Sequence, residues 1–387
     1  MCHAATLRPL LIALSLVLSC SGTPTTDASD AGSPSDGGGG SGGGSAGASD
    51  SGTGGGGSLG GGGGSLGGGG GSLGGSGGSV GGGGGAAGFR DWNAFPAIVQ
   101  LDTTSDVFVI GDAHGDPDRL EGVLKGAGLI SVIPATPSQV QWSGGTAVVI
   151  FMGDLIDKWT NSLGVLALVR TLEVQAAAAG GHVIVLLGNH EAEFLSDPAG
   201  TKTADFAAEL TAAGMAPADV AAGTNPLGRE LRSRPLAARV NDFFFSHAGD
   251  PGGRTLAQLD LALRQGLDAQ GFSAPILMDP DSLLEARLSP APWWEAVVPS
   301  SVVSTLGAGI AHVVEGHQPS SVTFSDGSTR GNGELYCRLG LFFLVDSGMS
   351  RGVNKSVGAA LKIHKLSNST RTESVAPNGA STLVWQG

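Results

Sequence analysis

Asp112, His114, Asp154, Asn189, His247 and His317 are oxygen and imidazole donors, and each stands just beyond an apolar run. DVFVI leads into GDAHGD at Gly111–Asp116, and AVVIFM leads into GDLIDKW at Gly153–Trp159. HVIVLL leads into GNHE at Gly188–Glu191, DFFF into SHAG at Ser246–Gly249, and HVVE into Gly316-His317. A carboxylate at the end of a buried strand is costly unless a cation meets it. Two divalent cations sharing a bridging group need such donors from several strand ends. Asp112 and His114 can hold one ion, because alternate residues leaving a strand can converge. Asp154 has two oxygens and can bridge both ions. Asn189 and the rings of His247 and His317 can complete the other. Such a pair brings the pKa of bound water towards about 7 and clamps both ends of an in-line displacement at phosphorus.

Taken singly, each motif has a plain structural reading. Gly-Asp after a strand is commonly a turn, and a lone strand histidine is commonly a hydrogen-bonded core residue. The histidines discriminate. Of the eight, His114, His190, His247 and His317 fall near Gly at the ends of apolar strands, whereas His182, His312 and His364 do not. The first four point to metal and the last three to structure or surface.

The elements that must position these residues alternate. Asp106–Ile110, Ala147–Met152 and His182–Leu187 are apolar enough for strands buried on both faces. Between them, Pro117 opens a helix with Leu120, Val123 and Leu124 on one face, and a second helix runs from about Asn161 to Ala179. This β-α-β-α-β order predicts an α/β fold with a largely parallel central sheet. Phe89, Trp92 and Phe95 are expected to anchor the N-terminal edge of the folded region. Residues 195–240 read as an irregular, partly helical, Ala-rich insertion. Leu256–Leu267 and Pro280–Ala286 read as helices, and His312–Glu315, Leu341–Val345 and Ala359–His364 as strands.

GDAHGD, GDLIDKW, GNHE, SHAG and GH, in that order, resemble the calcineurin-like metallophosphoesterases. The resemblance is closer to the phosphoprotein phosphatase type, and especially to the bacterial Shewanella-like protein phosphatases. It covers nearly all of Phe89–His364, and LGRELRSRPLAARVNDFFFSHAG and VDSGMSRGVNKSVGAALKI also look familial. It implies a sandwich of two mixed β-sheets flanked by helices, with a dinuclear metal site at strand ends. It assigns Asp112, His114 and Asp154 to one metal and Asp154, Asn189, His247 and His317 to the second. Manganese is the metal it favours, with iron or zinc as alternatives. His190 would protonate the leaving group, oriented by Asp157, and Glu191 would be structural. The implied reaction is hydrolysis of phosphomonoesters, on a phosphorylated protein or a small phosphoester, by water activated at the metals.

Two positions depart from the family pattern. Lys158 stands where an arginine usually follows the second aspartate of GDxxD. As the substrate-binding cation it keeps the charge but lacks the planar fork that grips phosphate in two places. Glu295 aligns with an arginine that follows a Pro-x-Trp-like segment. Arg287, Arg351 or an arginine of the Arg229–Arg239 cluster could take its place. Two other readings stand beside protein dephosphorylation. Diadenosine tetraphosphatases share GDxHG, GDxxD and GNH, so a nucleotide or dinucleoside polyphosphate could be the substrate. A surface protein could also hold metal without catalysis, although that would not need His190 and Asp157.

The remaining composition bounds the setting. Residues 1–20 carry one arginine, an apolar run Leu10–Leu18, then Ser19-Cys20. The run is too short to span a membrane and reads as an export signal. Val17-Leu18-Ser19-Cys20 resembles a bacterial lipoprotein signal, in which Cys20 becomes the lipid-bearing terminus, and Ser21 then implies the outer membrane of the cell envelope. Residues 21–88 are rich in Gly and Ser and cannot bury a core. They read as a flexible tether of roughly 45 Å r.m.s. span. Residues 89–387 are left as the catalytic domain, long enough for one large core. Cys337 is its only cysteine, so no disulfide staples it. The net charge of −13 argues against nucleic acid as a partner.

Overall fold

The computed structural model describes residues 90–307 and 309–387. The signal reading of residues 1–20, the tether reading of residues 21–88 and the anchoring role expected of Phe89 lie outside the described residues. The elements begin with β1 Ile98–Leu101, β2 Val107–Ile110, α1 Pro117–Gly126, β3 Val148–Phe151, α2 Ser162–Ala178 and β4 His182–Val185. Next come α3 Asn189–Ser196, α4 Ala204–Ala212, α5 Pro217–Ala222, α6 Pro226–Ser233, β5 Ala237–Val240 and β6 Phe243–Ser246. They continue with α7 Leu256–Gln270, α8 Pro275–Met278, α9 Pro299–Leu306 and β7 His312–Glu315. The last are β8 Val322–Thr323, β9 Thr329–Arg330, β10 Tyr336–Arg338, β11 Phe342–Leu344, β12 Ala360–Lys365, β13 Thr370–Val375 and β14 Ser381–Gln386.

Two six-stranded mixed sheets carry the fold, ordered β1-β5-β6-β7-β11-β10 and β14-β13-β12-β2-β3-β4. Side-chain alternation explains how they stack. Val107, Val109, Val148 and Ile150 share a buried cluster with Phe243, Phe245, Val314 and Phe343 of the other sheet. The intervening Phe108, Ile110, Val149 and Phe151 join a second cluster with Leu120 and Val123 of α1 and Leu168 and Leu172 of α2. Phe244, Val313 and Phe342 belong to that cluster too, with Leu259 and Leu263 of α7. Each central strand is therefore apolar on both faces, which is why its sequence shows a continuous run rather than an alternating one. β2, β3 and β4 are parallel, as are β6 and β7. Their C-terminal ends thus open on one edge of each sheet, where a crevice in an open α/β sheet takes its ligands.

Local signals set the helices. Asp116 caps α1 by accepting from Arg119 N, and Pro117 takes the first turn. Asn161 caps α2 by accepting from Gly164 N. Both caps place a helix start directly after a motif loop, so helix and loop fix one another.

Several expectations need correcting. The sheet with β2 is parallel only in β2-β3-β4, because β12, β13 and β14 join it antiparallel. β13 and β14 were not expected at all; they flank Pro377-Asn378-Gly379, a turn signal between two polar strands. Residues 280–286 form turns, and helix is found at Pro275–Met278 instead. Ser282 Oγ donates to the Leu277 carbonyl and accepts from Leu284 N and Glu285 N, which competes with helical pairing. The supposed insertion includes α4, α5 and α6 but ends in β5, which pairs with β1 and β6. Phe95 is no anchor, being 46% exposed, whereas Trp92 packs half-buried against the core. No helix among the described residues is long and apolar enough to cross a membrane.

Candidate metal and catalytic centre

The loops after β2, β3, β6 and β7, with the first turn of α3, bring the six donors together. Ligand-capable atoms of Asp154, His247 and His317 lie within 4.8 Å of one another, and so do those of His114, Asp154 and His190. His114 Nε2 is 3.5 Å from Asp154 Oδ2 and 3.8 Å from Asp112 Oδ2. His247 Nε2 is 3.0 Å from Asn189 Oδ1, 3.1 Å from His317 Nδ1 and 3.5 Å from Asp154 Oδ2. Asp112 Oδ1 accepts from His317 N at 3.2 Å, which ties the loop after β2 to the loop after β7 across the two sheets.

The backbone carries visible strain here. His114, Asp154, Asp157, Lys158 and His317 have φ of 39°, 51°, 63°, 61° and 66°. Non-glycine residues rarely adopt that left-handed region, and clusters of them mark sites where geometry is held against cost. Gly188 allows a close approach, since a Cβ there would stand 2.2 Å from Asp154 Oδ1. Glu191 holds the strained loop from below. Its Oε1 accepts from Leu155 N and Ile156 N, and its Oε2 from Asp154 N and Gly188 N.

The donor set fits divalent cations. His114 Nδ1 faces the Ile156 carbonyl at 3.0 Å and His247 Nδ1 faces the Met152 carbonyl at 2.8 Å. Those carbonyls need an N–H, which leaves the Nε2 lone pair of each ring pointing into the cluster. His247 Nε2, Asn189 Oδ1 and Asp154 Oδ2 are then acceptors aimed at one another, with His317 Nδ1 beside them, an arrangement that a proton or a cation stabilises. Asp112 Oδ2, Asp154 Oδ2 and His317 Nε2 are buried without hydrogen-bond partners. Buried polar atoms are normally partnered, so these orphans need an explanation. Charge tells the same story. Burial lifts Asp112 well above the usual carboxylate range, and the Asp346 carboxylate adds to this. Burial opposes ionisation of Asp154 too, but His247, His190 and His114 override it and hold that group well below the range. Burial would lower His247, yet Asp154 and Asp112 carry it up to about 10, while burial takes His114 down to about 3. Burial and the neighbouring His247 keep His317 well below its ordinary value.

His190 is held differently. Its Nδ1 lies 3.2 Å from Asp157 Oδ2, and its backbone N donates to Asp154 Oδ1 at 3.0 Å. Asp157 is buried, and its other oxygen accepts from Phe206 N, in the first turn of α4, at 2.9 Å. Burial pulls His190 down, but Asp154 and the bond to Asp157 outweigh it and raise the ring above its ordinary value.

The basic candidates separate. Lys158 Nζ stands 3.0 Å from His114 Nε2, inside the cluster's reach. The arginines of the 229–239 stretch are spent elsewhere: Arg229 on the Thr224 carbonyl, Arg232 on the Ala221 carbonyl, Arg234 on Glu173 and Glu230, Arg239 on Asp102. Glu295 accepts from Ser325 and touches none of the donors. Arg287, flanked by the bonds of Gln318 to Leu288 N and the Ala286 carbonyl, pairs its guanidinium with Glu285. Arg351 turns its fork to Asp116 and Asp118. Asp346 was missed as a member of the site. It follows β11 with Gly two residues on, the same strand-then-Asp pattern that singled out Asp112, and that pattern was its available signal.

Comparison with known proteins adds four findings. A family model described as calcineurin-like phosphoesterase matches residues 106–341. Shewanella-like protein phosphatase 2 of Arabidopsis thaliana is 37% identical over 82 residues, which is 21% of this chain and 19% of that one. An uncharacterised protein of Schizosaccharomyces pombe is 38% identical over 85 residues, 22% of this chain and 24% of that one. The chain thus spans about a quarter or less of the length of these curated relatives. Among solved structures, a cold-active protein-tyrosine phosphatase of a psychrophilic Shewanella species superposes with a TM-score of 0.55 at 19% identity, covering 74% of this chain and 82% of that one. At that identity the likeness is one of fold.

Proposed function

The chain belongs to the calcineurin-like phosphoesterase family, and from that premise we propose that it hydrolyses phosphomonoesters, phosphoserine, phosphothreonine or phosphotyrosine of proteins among them. Asp112, His114 and Asp154 would hold one divalent cation, and Asp154, Asn189, His247 and His317 would hold the second. Manganese is the proposed metal, with iron or zinc as alternatives. When bound, the two cations supply Lewis acidity at phosphorus and activate water for attack. The residues do the rest. Lys158 meets the phosphate charge from the His114 side. His190, with Nδ1 committed to Asp157, delivers a proton from Nε2 to the leaving oxygen. Asp157 keeps that ring oriented and charged, and Phe206 N keeps Asp157 in place.

The observation that supports catalysis over mere metal binding is the Phe206–Asp157–His190 chain of contacts. Metal binding needs neither Asp157 nor a raised His190. Glu191, in contrast, is fully occupied by backbone amides and takes no part in proton transfer. The similarity to the Arabidopsis protein phosphatase supports a phosphoprotein as the substrate. The reading extends to the whole chain on sequence alone: residues 1–20 direct export, and Cys20 carries a lipid that anchors the protein in the bacterial envelope, at the outer membrane.

A panel of phosphopeptides, nucleotides, a dinucleoside polyphosphate and an aryl phosphate, assayed with added manganese, tests the substrate class. Turnover of phosphopeptides with little on nucleotides is expected; the reverse preference moves the protein to nucleotide hydrolysis. Asp154→Asn is expected to lose nearly all turnover and both metals by elemental analysis. One metal or none in active wild-type protein refutes the paired site.

A further inference from the structure

The loop that follows β11 packs on both loops that carry the His114 side of the centre. Ser350 Oγ donates to the His114 carbonyl at 2.9 Å. Gly352 presses on Lys158 so closely that a Cβ there would stand 1.8 Å from the Lys158 carbonyl oxygen. Arg351 lies between these contacts. Its backbone N and its Nε donate to Asp116 Oδ2 at 2.8 and 2.9 Å. Its Nη2 donates to Asp116 Oδ1 at 2.6 Å and to Asp118 Oδ2 at 2.7 Å. The guanidinium also sits 4.9 Å from the centroid of the Trp159 ring. Asp116 is fully enclosed, and Trp159 is the immediate neighbour of Lys158. One side chain therefore grips the loop after β2 with its donors and the loop after β3 with its face.

Lys158 needs such a hold. Its backbone is left-handed at φ 61°, as is that of Asp157 at 63°, and neither residue is glycine. A residue in that region persists when its surroundings over-determine it. The long lysine stem has freedom of its own, and its 3.0 Å approach to His114 Nε2 requires the Lys158 Cα to be held within reach of that ring. Gly352 packs on the Lys158 backbone and Trp159 follows Lys158 in the chain, and Arg351 is covalently next to Gly352 and in contact with both Trp159 and Asp116 of the loop after β2.

We propose that Arg351 is the positioning residue for Lys158: bound to Asp116 and stacked on Trp159, it sets where the Lys158 ammonium stands beside His114, and so sets phosphate affinity without touching phosphate. Its Nε and Nη2 are committed to two carboxylates, which distinguishes it from an arginine that clamps the anion. The inference rests on the reading of Lys158 as the phosphate-binding cation.

The test is a double-mutant cycle on the metal-loaded full chain, read as inhibition by inorganic phosphate and as KM against kcat on an aryl phosphate. Arg351→Gln is expected to weaken phosphate binding by about tenfold, a size common for residues in one network. KM is expected to rise more than kcat falls, with metal content unchanged. In a Lys158→Ala background the same change is expected to shrink below about twofold, because its target is gone. Arg351→Lys keeps the charge, loses the fork and the planar stack, and is expected to fall between; it also serves if the glutamine variant does not fold. Equal losses in both backgrounds mean that Arg351 acts independently of Lys158 and overturn the inference alone. So does wild-type phosphate affinity in both Arg351 variants. Wild-type protein that neither binds nor releases phosphate overturns the functional reading, and this inference with it.

Discussion

His190 and His247 show how one residue type is driven to two tasks by its surroundings. His247 is fully buried, gives Nδ1 to a carbonyl and turns Nε2 towards Asn189 Oδ1, Asp154 Oδ2 and the His317 ring. His190 gives Nδ1 to a carboxylate, which favours the imidazolium over the neutral ring. In the proposed mechanism the first serves as a ligand and the second as a proton donor. The leaving group decides how much that proton matters. An alkoxide from phosphoserine is strongly basic and needs protonation in the transition state, whereas a nitrophenolate departs with little help. General acid catalysis is worth about 10²–10⁴-fold. His190→Ala is therefore expected to slow alkyl phosphates by about 10²–10⁴-fold and nitrophenyl phosphate far less, with both metals retained. Asp157→Asn is expected to show the same asymmetry more mildly. Equal losses on the two substrate classes, with metals intact, remove His190 from the donor role.

At the scale of elements, α3 does more than present Asn189 and His190. Its third residue, Glu191, receives four backbone N–H groups from Gly188 and from Asp154 to Ile156. Because the loop after β3 is left-handed at Asp154, it cannot pair those amides with a neighbouring strand, and the helix supplies the acceptor. Glu191→Ala strands them in a dry interior, where each buried donor left unpaired costs about 1–3 kcal/mol. The expected loss is at least about 3 kcal/mol in urea unfolding of the chain, and Glu191→Gln, which keeps one acceptor oxygen, is expected to lose less. Unfolding midpoints that match the wild type in both variants contradict the clamp. The same element shows what the sequence could and could not disclose. Buried strands and their polar ends were readable because burial on both faces forces continuous apolar runs. β5 was hidden because its residues, AARV, are mostly small and include an arginine, and it is stabilised by β1 and β6 rather than by its own propensity. The Pro280–Ala286 segment looked helical because nothing in its hydrophobic spacing reveals that Ser282 takes the backbone's hydrogen bonds. Glu191 was readable as structural, but its four donors come from residues brought near by the fold and could not be read in advance. Arg351 was ambiguous for the same reason: a guanidinium's partner is a tertiary fact.

At the scale of the molecule, the donors come from both sheets. Asp112, His114 and Asp154 follow strands of one, His247 and His317 follow strands of the other, and the Asp112–His317 contact crosses between them. A cation pair held this way would link the sheets and, favouring the folded over the unfolded chain, would add stability as metal concentration rises. None of those donors precedes residue 106, and none depends on how the chain is held in the cell. The export reading rests on a different part of the sequence: a short apolar run, then Ser19-Cys20, then composition that cannot form a core. If Cys20 carries the lipid, a single sulfur decides location while the centre decides turnover. Cys20→Ser is therefore expected to move the protein from the membrane fraction of cells to the soluble fraction and to abolish incorporation of labelled fatty acid. Its kcat/KM on an aryl phosphate, measured in detergent against the wild type, is expected to be unchanged. Wild-type protein that is soluble and free of label refutes the anchor and leaves the enzyme untouched. A Cys20→Ser protein that is soluble but inactive refutes the independence of the two parts.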